Sequence, residues 1–407
     1  MSIETPADIK VGVIGAGSRA ASYLGNVPER LRKRVRLVAI AEPDPANRDL
    51  TAKRFGGSTP PRLYQDGPDL LQREELDALI ITTPNHLHVR DAVPAMRRGI
   101  PLLLEKPVAV SLAECAQLWQ SYVESGRPPV TVGFVLRYTP FGARLHELVS
   151  RRSVGQLLTV DADENVAAST TGAFLRGTWR RWDRLAGGFL VEKCCHDFDF
   201  LSWITGARVT RVYSIGKRTH FVPRPRAEQH ARFDVEAMRT ALLDYGDTDS
   251  VRLAWRSMSG DSLYDAAGDV PDHQTVMLEW SNGILSCFTA CLGQVRGTRR
   301  IRIGGSDGML EGDLERSVLL WDKPGKDAYS FTTERIEIRH DLSGHHGGDS
   351  VINESFWSSA AREPFELRAG IREGIEAVIV ALAAEESERT GQPVDVTALR
   401  RQVFGEE

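Results

Sequence analysis

A short apolar run over residues 10–14 ends in Gly15-Ala16-Gly17-Ser18-Arg19-Ala20 and passes directly into a helical pattern. A first glycine permits the tight turn, a second lets the backbone approach a pyrophosphate, and the small Ala20 allows close packing of helix on strand. The helix N-terminus then presents unpaired N–H groups to phosphate. The next apolar run, over 36–41, ends in Glu42, 22 residues beyond Ala20. That is the spacing of an acid that binds the adenine ribose hydroxyls. A carboxylate there repels a 2′-phosphate, so NAD is expected and NADP disfavoured. Gly15, Gly17, Ser18, Arg19, Ala20 and Glu42 are the first candidate cofactor contacts.

The rhythm around this loop sets the fold class. Further apolar runs at 78–82, 102–104 and 130–135 alternate with helical patterns at 19–26, 46–54, 88–98 and 112–125. Continuous apolar strands separated by helices imply a parallel sheet covered on both faces. After about residue 137 the pattern changes. A helix over 141–151 leads into strand-like segments at 157–163, 210–216, 250–255, 275–280, 284–289 and 299–303 without helices between them. Ser281-Asn282-Gly283 marks a hairpin. The expectation is α/β: a doubly wound domain over 1–136, then an α+β domain over 137–407 with a large, open, mostly antiparallel sheet. Residues 220–272 read as an excursion, a late helix spans 370–389, and the final helix is free to pack back on the first domain.

Composition narrows the partners. The 51 Lys and Arg against 55 Asp and Glu give a net charge of −4, without the basic excess that nucleic acid binding needs. No polybasic run flanks an apolar anchor, so no membrane partner is expected. Five cysteines make an odd, sparse set, as in a reducing compartment. The N-terminal residues lack the charge and apolar pattern of a signal peptide, and the cytoplasm is expected. A small molecule remains as the ligand.

Three more motifs carry chemistry: Thr82-Thr83-Pro84-Asn85-His86-Leu87-His88, Glu105-Lys106-Pro107, and the stretch from Gly187 through Glu192, His196 and Asp199. With Gly344-His345-His346-Gly347-Gly348-Asp349 and Glu386-Ser387-Glu388-Arg389-Thr390-Gly391, they give a chain that resembles the Gfo/Idh/MocA oxidoreductase family over nearly its whole length. The resemblance implies catalysis in a cleft between the two domains, on secondary hydroxyls of sugars and polyols. It implies Lys106 and His196 as the catalytic pair, with Glu192 where the family usually has aspartate and Cys194 in place of a glycine. It further implies that Thr83, Pro84, Asn85, His88, Glu105 and Lys106 lie along the cofactor, and that the open sheet packs on another subunit as a homodimer or homotetramer.

The chemistry is consistent with these residue types. A neutral histidine, with an ordinary pKa of about 6.5, takes a hydroxyl proton near neutral pH. An adjacent ammonium stabilises the developing alkoxide. On a helix, Glu192, His196 and Asp199 fall within an arc of about 60°, so Glu192 is placed to orient His196 and Asp199 to bind a substrate hydroxyl. Trp179 and Arg180 are candidates for stacking on a sugar and holding an anionic group; Arg137 and Lys193 would add positive charge, and His345 is a candidate wall of the cleft. Adjacent cysteines diverge by about 100° on a helix, so Cys194 and Cys195 do not suit a metal. The leading expectation is an NAD-dependent dehydrogenase of a sugar, glycoside or cyclitol, with an anionic sugar as one candidate. The alternative is an NAD-dependent glycoside hydrolase that oxidises C3 transiently, eliminates the aglycone, adds water and returns the hydride.

Overall fold

The computed structural model describes residues 7–167, 173–229, 263–264, 267–327, 329–339, 341 and 343–405. The expected strand at 250–255 and most of the 220–272 excursion lie outside the described residues.

The first sheet has six parallel strands: β1 (Ile9–Ile14), β2 (Val35–Ala41), β3 (Arg62–Tyr64), β4 (Ala78–Ile81), β5 (Leu102–Leu104) and β6 (Val130–Val132). Their order is β3-β2-β1-β4-β5-β6. The strand order therefore reverses beside β1, where open α/β sheets place their ligands at the carboxyl ends. Helices α1 (Ser18–Gly25), α2 (Pro45–Phe55), α3 (Gly67–Arg73), α4 (His88–Arg97) and α5 (Leu112–Glu124) cover the faces. The sequence reading missed β3 and α3, because a three-residue edge strand with two exposed side chains carries no apolar run.

Helix α6 (Pro140–Ser150) leads to β7 (Leu157–Ala167) and then to a buried helix, α7 (Phe189–Thr205). Only Lys193, Ser202 and Trp203 of α7 escape full burial, which makes it a core helix rather than a surface one. Gly188 precedes it with φ of +108°, and a Cβ there would lie 2.5 Å from a Glu385 carboxylate oxygen. The same oxygen accepts the Leu190 N–H at 2.6 Å, so the glycine allows an acid to cap the first turn of α7.

The second sheet continues with β8 (Val209–Lys217), β9 (His273–Trp280), β10 (Leu285–Gln294), β11 (Thr298–Gly305), β12 (Gly308–Asp313), β13 (Val318–Pro324) and β14 (Phe331–Glu337). Helices α8 (Gly348–Ala360) and α9 (Ile371–Thr390), the short β15 (Val394–Asp395) and α10 (Val396–Phe404) complete the chain. Nine strands run in the order β14-β13-β12-β11-β7-β10-β9-β8-β15. Among the described residues, only the central β7–β10 pair of this sheet is parallel; the β9–β10 hairpin turns at Gly283, φ +85°.

The C-terminal segment ties the two sheets together. Ile352, Phe356 and Trp357 of α8 pack with Val11, Val13, Ile80 and Leu103 in one core cluster on the first sheet. Helix α9 lies against α7 and β8, and α10 against α5. Helix α8 thus covers one face of the first sheet, and the later helices α9 and α10 both pack against α5 of the first domain.

Candidate active site

At the switch point, Gly15 turns with φ of +86°, and a Cβ there would lie 2.7 Å from the Thr82 and Thr83 backbone. Only glycine permits this approach of loop to strand. Around Gly17 nothing lies within 4 Å of a built Cβ, and no side chain caps the N–H groups of α1. The result is a groove of about 480 Å³ with Gly15, Gly17, Ser18, Arg19, Glu42 and Thr83 along it, Pro84 at its side, and Trp179 and Arg180 facing it from the second domain. Uncapped N–H groups, open space and an acid at the next strand end suit a dinucleotide. Glu42 accepts the backbone N–H of Ala16 at 2.8 Å and that of Asp44 at 3.0 Å, which fixes its carboxylate at the edge of the groove. Ala20 is buried under the loop.

Arg19 spans three motifs. Its Nε donates to Glu105 at 2.5 Å and its Nη2 to the Tyr23 hydroxyl at 2.6 Å, while the guanidinium lies 3.4 Å from Asp349. Glu105 also accepts from the Tyr23 hydroxyl at 2.6 Å and from the Lys106 backbone N–H at 2.9 Å. Burial works against the Glu105 charge, but Arg19, Tyr23 and Lys106 outweigh it and hold the carboxyl below its usual range.

From the end of β5, the Lys106 ammonium crosses to α7. It donates to the Glu192 carbonyl at 2.6 Å and lies 3.8 Å from the Glu192 carboxylate. Burial opposes its charge, yet Glu192 prevails and the Lys106 pKa is raised. Lys106 is therefore a fixed cation rather than a base. Glu192 in turn accepts from Arg180 Nε at 2.8 Å and from the Asn85 amide, whose Nδ2 also reaches the Ala186 carbonyl at 3.0 Å. His88 lies beneath, its ring nitrogens 2.6 Å from the Pro107 carbonyl and 2.9 Å from that of Thr83; it holds two cofactor-side motifs in place and is itself buried.

His196 sits one turn beyond Glu192. Burial first, then the charges of Arg299, Lys106, Lys193 and His345, push its pKa well below the ordinary imidazole value. Lys193 pairs with Glu164 at 2.6 Å, Glu164 with Arg299 at 2.6 Å, and Arg299 with Asp197 at 2.8 Å. His345 and His346 both adopt left-handed backbone, φ +47° and +55°, a conformation that costs about 1–2 kcal/mol per non-glycine residue. His345 is held 3.0 Å from Asp349, and His346 3.3 Å from Glu315.

Two residues expected at the cleft are placed elsewhere. Arg137 and Asp199 bind each other bidentately at 2.7 and 2.6 Å and line a separate cavity of about 190 Å³ with Trp203, Arg372 and Arg400. Asp199 shares the helical stripe of Glu192 and His196, but three residues beyond His196 is about 4.5 Å along the axis, where Arg137 meets it. Trp179 and Arg180 face the nucleotide groove rather than a separate sugar wall. Arg299, Glu164, Asp197, Asp349 and Glu315 were missed from sequence. Asp197 and Asp349 lay inside the recognised motifs, whereas Arg299 meets Glu164 through the β11–β7 pairing, which no local pattern announces. Among the described residues, no group of three or more His, Cys, Asp or Glu is placed to hold a metal.

Comparison with known proteins agrees with this architecture. Residues 9–134 match the model of an oxidoreductase family with an NAD-binding Rossmann fold, and residues 146–396 that family's C-terminal alpha/beta domain. The chain is 28% identical over 255 residues to an inositol 2-dehydrogenase of Leifsonia xyli subsp. xyli (strain CTCB07), covering 62% of this chain and 70% of that one. It is 21% identical over 425 residues to YteT of Bacillus subtilis (strain 168), covering 95% and 97%. A levoglucosan dehydrogenase solved with NADH and L-sorbose superposes with a TM-score of 0.74 at 19% identity, covering 97% of this chain and 100% of that one. At that identity, the structural likeness shows the fold.

Proposed function

The chain belongs to the Gfo/Idh/MocA oxidoreductase family, and from that premise we propose that it is an NAD-dependent dehydrogenase of a cyclitol or sugar. The carrying observation is Lys106 at the end of β5, bound to the helix turn that precedes His196 and sharing Glu192 with Arg180, which faces the nucleotide groove. His196 takes the hydroxyl proton, and Lys106 stabilises the oxygen as charge develops on it. Glu192 fixes the Lys106 ammonium and the Arg180 guanidinium. NAD, when bound, accepts the hydride. Glu42 favours NAD over NADP by repelling a 2′-phosphate. Inositol 2-dehydrogenase and levoglucosan dehydrogenase among the similar proteins support a polyhydroxylated substrate.

Charge pairing keeps the anionic sugar raised from sequence as a candidate beside a neutral one. Lys106 and Arg180 share Glu192, and Lys193 and Arg299 share Glu164. Among the described residues, these four cations thus face three carboxylates once Asp197, which pairs with Arg299, is counted, and one positive charge is left over for an anionic group on a substrate. The test is NADH formation with NAD and a panel of inositols, neutral sugars, uronates and sulfosugars. Stoichiometric NADH with any member supports the reading; NAD binding without turnover of any member overturns it.

The subunit and compartment expectations extend this proposal. The open face of the second sheet exposes Leu158, Ile215, Met277 and Leu285, apolar groups that a second copy would cover in a homo-oligomer. All five cysteines are free thiols, in keeping with a cytoplasmic setting.

A further inference from the structure

Arginine carries only N–H donors. The Arg299 Nη2 lies 3.1 Å from His196 Nε2, so Nε2 is the acceptor in that contact. A neutral imidazole has one N–H and one lone pair, and its proton is then on Nδ1. The guanidinium is itself held on both sides, by Glu164 at 2.6 Å and Asp197 at 2.8 Å, with little freedom to leave Nε2 unless something replaces it. Only 13% of the Arg299 side chain is exposed. A buried cation is retained at such a site only with full pairing, and here one of its hydrogen bonds is directed at the lone pair that must receive a proton.

We infer that Arg299 is a positioning residue: it sets the tautomer of His196 and occupies its Nε2 lone pair until a substrate hydroxyl takes the place of the guanidinium N–H. The inference deepens the proposed function and rests on His196 as the base. The arriving hydroxyl would exchange one N–H···N hydrogen bond for an O–H···N hydrogen bond, and the guanidinium would keep its two carboxylates. His196 is also faced by Lys193 and Asp197 on its own helix, by Lys106 from the end of β5, by His345 from the loop before α8, and by Glu164 of β7 through Arg299. Of these, Arg299 is the cation in hydrogen-bonding contact with the ring.

The test needs no substrate, so its failure is separable from failure of the dehydrogenase reading. Full-length protein carrying nitrogen-labelled histidine would be titrated by NMR, with His196→Asn to assign the ring signals. Wild type should show a neutral ring protonated at Nδ1. In Arg299→Gln the titration midpoint should rise by about one pH unit or more, as expected when a like charge at contact distance is removed. Arg299→Lys, which keeps the charge and the donor-only character and guards against a folding failure in the glutamine variant, should hold the tautomer and the midpoint near those of wild type. An Nε2–H tautomer in the wild type would overturn the inference. So would an Arg299→Gln variant that still binds NAD and keeps the wild-type midpoint.

Discussion

The Lys106 ammonium lies 2.6 Å from the backbone carbonyl of Glu192 and 3.8 Å from its carboxylate, so one side chain joins the end of a Rossmann strand to the helix that carries His196. The carbonyl and the carboxylate together fix the ammonium and keep it charged. A cation so placed does its work on an oxygen that becomes negative during reaction, not on a proton.

Lys106→Ala should therefore lower kcat by about 100-fold to 1,000-fold, the range for loss of one preorganised oxyanion partner. The nucleotide loop is untouched, so the dissociation constant for NAD, measured by tryptophan fluorescence or calorimetry, should stay within about threefold.

The depressed His196 pKa fixes a sign. A base held neutral loses activity only as pH falls through its lowered pKa, so the acid limb of kcat/KM should lie below the ordinary imidazole value of about 6.5. A pH profile measured with NAD in excess checks this.

Glu105 gathers Arg19, Tyr23 and the Lys106 backbone in one buried cluster. Glu105→Ala leaves the partly exposed guanidinium with Asp349 and Tyr23, and loss of one partner of such a hydrogen-bonded charge costs about 1–3 kcal/mol. Urea unfolding should show a loss of that order, together with weaker NAD binding, because Arg19 belongs to the glycine loop.

Much of the fold was legible. The glycine loop, the β2–Glu42 spacing and the β9–β10 hairpin follow local rules of turn chemistry and period, and each element formed where those rules put it. Strands β12–β14 and helix α8 were not legible: β14 has six of its seven residues exposed, so no apolar alternation marks it, and α8 is fixed by a sheet more than 200 residues earlier in the chain. The site shows the same division. Glu192, expected to orient His196, binds Lys106, Arg180 and Asn85, while Asp199 turned to Arg137 and Arg299 arrived through strand register. Helical periodicity gives a side chain's direction but not the partner that waits there.

Glu42 makes the cofactor choice testable. Glu42→Ala should weaken NAD about tenfold, the worth of roughly one charged hydrogen bond, and raise the affinity for NADP relative to NAD. Titration of both nucleotides against wild type and variant measures the ratio directly.

The central claim is net hydride transfer from a hydroxyl carbon to NAD in the Lys106–His196 cleft. The most direct measurement follows NADH and released aglycone together, with NAD, inositols, neutral sugars and their aryl glycosides as reactants. The account predicts NADH in stoichiometric amounts with the sugar or cyclitol consumed, and its loss in Lys106→Ala. Aglycone released only when NAD is present, with NADH staying flat, would contradict it and establish redox-neutral glycoside cleavage instead.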